Sequence, residues 1–159
     1  MLRTALICLL AALPLTIHAA PLNVQLTQRA VLNLGVVKQI AAAAEAEARK
    51  NNWNVSIAVV DEAGQLMHFI SMDDTANSTI IVAQGKARHA VSYRRDTKFH
   101  QDILEKGNAV VLGLPDSLPV EGGIRLVADG KVIGAIGVAG VQASQDAQIA
   151  RAGAALLKE

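Results

Sequence analysis

The chain has 159 residues, 52% of them apolar, with 15 basic and 14 acidic side chains. That length is enough for one domain with its own hydrophobic core, without help from disulfides or metals. With no basic excess and only 3% aromatic residues, the composition argues against a nucleic-acid partner.

The N-terminus reads apart from the rest. Arg3 gives a positive start, an unbroken apolar run follows from Ala5 to Leu13, and "IHAAP" ends it with small residues. This is the layout of a secretory signal peptide, residues 1–19, with a cut after Ala19 that leaves residues 20–159 as a single exported domain. The run is shorter than the ~20 residues a spanning helix needs, so no stable membrane insertion is expected. Cys8, the only cysteine, lies inside it. The exported part therefore has no disulfide, thiolate ligand or cysteine nucleophile.

Thr27 can cap a first helix, in which Ala30, Leu34, Val37, Ala41, Ala44 and Ala48 recur at three- and four-residue steps. "VSIAVV" and "QLMHFIS", joined by "DEAG", predict a hairpin from about Val55 to Ser71. Asn77 or Ser78 can cap a second helix to about Ser92, and Thr97 can start a short third one that Gly107 closes. "LPDSLPVEGG" breaks the regular pattern and is the expected functional loop. "IRLVAD" and "KVIGAIGVA" flank Asp129 and Gly130, a pair suited to a type I′ turn, and Ser144 can cap a last helix with Asp146 in its first turn. Hairpins alternating with helices point to an α+β domain built on an antiparallel sheet.

Gly134, Gly137 and Gly140 invite comparison with a phosphate-binding loop. Their three-residue spacing within a strand does not match the dinucleotide fingerprint, which opens a helix after a strand. Missing side chains there instead let another surface approach the backbone.

Together, "VVDEAGQLMHFISMDD", "QGKARHA", "VEGGIRL", "DGKVIGAIGVAG" and "QDAQIARAG" resemble the GlcG/HbpS-like family of heme-binding proteins. The sequence is also similar to the C-terminal domain of PduO-type corrinoid adenosyltransferases. The resemblance implies a profilin-like domain, a central antiparallel sheet of about five strands flanked by helices, that assembles into homo-oligomers. It further implies heme binding, with roles in heme sensing, storage or degradation. Any degradation would depend on bound iron and an outside reductant. The chain departs from the family pattern at Ser71 and Asp74, at Arg125 in place of proline, at Ala139 in place of serine, and at His89 where threonine is frequent.

On the second helix, at about 100° per residue, Ile80, Ala83, Ala87 and Ala90 share one face. Val82, Lys86, His89 and Tyr93 fall on roughly the opposite side, so His89 is expected outside the core. That face, with His89 as ligand to heme iron and Lys86, Tyr93, Arg94 and Arg95 around it, suits a porphyrin and its propionates. Glu121, Gly122 and Gly123 add backbone amides that can receive a carboxylate. His68 is expected half-buried and His100 on the surface. No histidine pair has zinc-helix spacing, no Gly-x-Ser-x-Gly elbow is present, and no catalytic residue can be assigned. The rival reading is an oligomeric binding or scaffold module for a small organic acid or a corrinoid, without a heme role.

Overall fold

The computed structural model describes residues 24–157. The expected signal peptide lies outside them. Among the described residues no helix is long and apolar enough to cross a membrane.

Helix α1 (Leu34–Lys50) starts later than Thr27, because Asn33 supplies the cap: its side chain accepts a hydrogen bond from Val36 N at 3.0 Å. Strands β1 (Ser56–Asp61) and β2 (Leu66–Ser71) form the expected hairpin, and α2 (Ser78–Tyr93) and α3 (Thr97–Glu105) follow. A short 3₁₀ turn (Ala109–Gly113) precedes the irregular loop. Strands β3 (Gly123–Ala128) and β4 (Lys131–Ala139) pair through Asp129 and Gly130, whose φ values of 50° and 69° are those of a type I′ turn. Helix α4 (Ala143–Ala154) is entered through Gln142 rather than Ser144, with Gln145 Oε1 accepting from Gln142 N at 3.1 Å.

The sheet is antiparallel throughout, in the order β2-β1-β4-β3. It has four strands among the described residues, against the five or so expected. Along the outer edge of β3, side chains take up backbone amides. Thr97 Oγ1 accepts from Gly123 N at 3.0 Å, and Asp96 Oδ1 accepts from Arg125 N at 3.1 Å. Two edge amides are thus satisfied by the turn between α2 and α3.

Alternation along the strands sorts the core into two layers. Ile57, Val59, Ile136 and Val138 pack with Val37, Ile40 and Ala44 of α1 and Ile149 of α4. On the other face Ala58, Val60, Ala135 and Ala139 meet Ala83, Ala87 and Ala90 of α2. This second layer is made almost wholly of small residues, so it holds only if helix and sheet come very close. Gly137 permits that approach: a Cβ there would lie 2.1 Å from the Ala83 carbonyl oxygen and 2.5 Å from Ala87 N. Gly137 of β4 therefore serves helix packing, one of the close approaches the strand setting predicts, whereas a Cβ at Gly134 would meet the Val60 carbonyl oxygen at 2.4 Å and Leu32 Cδ1 at 2.5 Å.

Candidate functional site

The close seating of α2 fixes the position of everything on its outer flank. After Tyr93 the chain turns through Arg94, which has the left-handed φ of 49°, and α3 folds back so that His100 meets His89. His89 Nε2 and His100 Nδ1 are 2.8 Å apart, and Leu118 N donates to His89 Nδ1, also at 2.8 Å. A backbone amide can only donate, so His89 Nδ1 is the acceptor and the neutral ring carries its proton on Nε2. That proton is given to His100 Nδ1. The hydrogen of a neutral His100 is then on its own Nε2. Burial, and then the neighbouring His100, hold the His89 pKa at about 4, well below its ordinary value of 6.5.

Aromatic rings enclose the pair. Tyr93 lies 5.0 Å from both imidazoles, centroid to centroid, and Phe99 lies 5.1 Å from His100. The Tyr93 hydroxyl donates to the Pro115 carbonyl, and Leu118 sits over Gly85, where a Cβ would come within 2.9 Å of Leu118 Cδ2. The irregular loop is thus pinned to α2 at both ends of the imidazole pair.

One turn earlier on α2 a second polar cluster is buried. Lys86 Nζ donates to Asp146 Oδ2 at 2.7 Å, with the two side chains 2% and 3% exposed. Asp146 Oδ1 also accepts from Val141 N at 3.2 Å. Burial pushes the Asp146 carboxyl above the usual carboxylate range, against the opposing pull of Lys86. Gly122, at φ 125°, makes room for this pair: a Cβ there would lie 2.8 Å from Lys86 Nζ.

These positions correct several expectations. His89 is fully buried and Lys86 nearly so, although the helical arithmetic that set them opposite Ala83 and Ala87 was sound. What it could not include is the segment from Asp96 to Gly123, together with the start of α4, which covers that flank. His100 is buried at 7% exposure instead of lying on the surface. Glu121, Gly122 and Gly123 are buried, and two of their amides are taken: Glu121 N donates to Gln101 Oε1 at 2.6 Å and Gly123 N to Thr97 Oγ1. Arg94 and Arg95 are exposed, Arg95 lying 4.7 Å over the Phe99 ring, and Tyr93 is half-buried. His68 is half-buried, as its strand position predicts.

The sequence reading missed His100, Leu118 and Asp146 as members of these clusters. Asp146 in the first turn of α4 has an ordinary meaning at a helix start, and nothing in the sequence joins it to Lys86, 60 positions away.

Residues 32–155 match the family model described as "Haem degrading protein HbpS-like". The chain belongs to the HbpS-like family. Among its relatives, Protein GlcG of Escherichia coli K12 is 42% identical over 110 residues, covering 69% of this chain and 82% of that protein. The crystal structure of a double mutant of HbpS from Streptomyces reticuli superposes on this HbpS-like chain with a TM-score of 0.77 at 34% identity. The match covers 89% of this chain and 99% of that one. The crystal structure of a PduOC:heme complex superposes with a TM-score of 0.75 at 26% identity, over 81% and 96% of the two chains. The α+β sheet-and-helix architecture is therefore that of the HbpS-like proteins.

Proposed function

We propose that this chain is an exported heme-binding protein that works as a homo-oligomer in heme sensing, storage or degradation. The observation that carries the reading is the match of residues 32–155 to a family described as haem degrading. A shared fold with PduOC, whose crystal structure is a heme complex, supports it. Export rests on the layout of residues 1–19 alone.

The described residues fit heme only in part. His89 does not fit as a ready axial ligand, since one ring nitrogen accepts from Leu118 N and the other contacts His100. His100, in the tautomer that this chain of bonds imposes, carries a proton on its remaining nitrogen and is no ligand either. Lys86 is paired with Asp146, so its charge is already balanced and does not draw a propionate. What remains at the surface is Arg94, Arg95 and the half-buried Tyr93, beside the exposed Phe99. These suit an apolar ring plane with carboxylates at its rim. Bound heme would supply iron redox chemistry; the chain's own part is to hold the ring and its carboxylates.

Titrating the purified mature protein with hemin tests this. A saturable Soret change, weakened by the double substitution Arg94→Ala/Arg95→Ala, is expected. A linear, unsaturable response removes the reading.

A second reading, a binding module for a small organic acid, is favoured by one specific feature. Arg125 and Arg151 flank a cavity of about 370 Å³ between β3 and α4, whose lining includes Ile124, Val127 and Leu157. Arg125 Nε is held by Asp96 Oδ1 at 2.9 Å, and Arg151 lies 3.6 Å from Glu121. The guanidinium edges not facing those partners suit a carboxylate. Binding of butyrate lost on Arg125→Ala, with no hemin response, would establish this alternative.

A further inference from the structure

The Lys86–Asp146 pair lies beside an open cavity of about 310 Å³, walled also by Thr79, Val82, Val120 and Val141. An ammonium group has three N–H donors, and one buried from water needs an acceptor for each. Among the described residues Lys86 Nζ makes one hydrogen bond, to Asp146. Two donors are left beside a cavity that both members of the pair line. The walls offer no competing acceptor side chain. Thr79 Oγ1 is engaged with the Ala76 carbonyl and with Ser56 Oγ, at 2.6 and 2.8 Å, and the other lining residues are apolar.

Charge then selects the ligand. Lys86 and Asp146 neutralise each other, and no other charged side chain lines the cavity. An anion brought there would face the Asp146 carboxylate with no net positive charge to offset it, whereas a neutral oxygen acceptor needs none. We propose that this cavity is a binding site for the carbonyl oxygen of a small uncharged ketone, aldehyde or amide with a short apolar chain. The oxygen takes the free Lys86 N–H donors, and the chain lies against Val82, Val120 and Val141. Asp146 aims the ammonium, and Gly122 clears the room for it. This site is separate from the heme reading and uses none of the residues proposed to contact the porphyrin.

The test is an amide-resolved NMR titration of the full mature protein with 2-pentanone, alongside pentanoate and 2-pentanol as matched probes. Saturable shifts at Val120, Gly140 and Val141 with 2-pentanone are expected, with pentanoate at least about tenfold weaker. Lys86→Met should abolish them. Because that substitution leaves Asp146 unpaired in the interior and can unfold the chain, Val120→Trp serves as a second variant that fills the cavity and leaves the ion pair intact. Loss of binding in Val120→Trp supports the site. The proposal is overturned if 2-pentanone gives no saturable shift up to its solubility, if pentanoate binds as well as the ketone, or if Val120→Trp binds like wild type.

Discussion

His89 Nε2 approaches His100 Nδ1 to 2.8 Å inside the fold, and the Leu118 amide decides which of the two rings gives the proton. The backbone thereby sets the tautomer of both histidines and ties α2, α3 and the irregular loop into one unit.

Removing the acceptor should expose that dependence. His100→Ala leaves the His89 Nε2 proton buried without a partner, a loss of about 1–3 kcal/mol. His100→Asn, whose side-chain oxygen can take the place of Nδ1, should recover much of it. Urea denaturation of the three proteins measures the difference; equal losses in both variants would mean that packing, not the hydrogen bond, is what His100 contributes.

Acid should act through His89. Its folded pKa of about 4 lies below the ordinary 6.5, so the unfolded chain takes up a proton at a pH where the folded chain does not. The resulting stability is complete above about pH 6.5, falls as pH drops toward about 4, and is then spent, a change of at most about 3 kcal/mol. In His89→Gln the slope of unfolding free energy against pH between 6.5 and 4 should flatten. An unchanged slope would assign the acid sensitivity to the carboxylates.

The buried ion pair predicts strong coupling. Lys86→Met or Asp146→Asn alone leaves a charge buried without its partner and should cost about 3–5 kcal/mol. Lys86→Met combined with Asp146→Asn should cost clearly less than the sum of the two single losses. Strict additivity in a thermal or urea double-mutant cycle would refute the pairing.

Gly137→Ala tests how closely α2 rides on the sheet. The new methyl meets helix backbone at Ala83 and Ala87, which cannot rotate away, so the loss should reach about 3 kcal/mol or more. Gly113→Ala, where an added Cβ meets nothing within 4 Å, should be close to neutral. Similar melting temperatures for the two variants would contradict the packing described.

Much of this fold is legible in the sequence, for physical reasons that are local. The alternation in "VSIAVV" and "KVIGAIGVA", the Asp129–Gly130 turn and the alanine spacing of α2 each specify an element without reference to the rest of the chain. The first and last helices begin elsewhere than expected because several residues near each start can cap, and tertiary packing chooses among them. The site was less legible for a different reason. A helical wheel tells which residues share a face, but not which segment will cover that face. His89 and Lys86 are polar residues buried by Leu118, His100 and Asp146, and those contacts join positions 11 to 60 residues apart. The side-chain cover of the β3 edge is of the same kind, since the hydrogen bonds that Asp96 and Thr97 accept from the Arg125 and Gly123 amides carry no periodic signal.

Visible spectroscopy of hemin added to the mature wild-type protein and to His89→Gln tests the central claim most directly. The account predicts a saturable Soret change near one hemin per chain that persists in the variant, because His89 is closed off by Leu118 and His100. Absence of saturation in the wild type would contradict heme binding itself, and a response abolished by His89→Gln would contradict the site geometry.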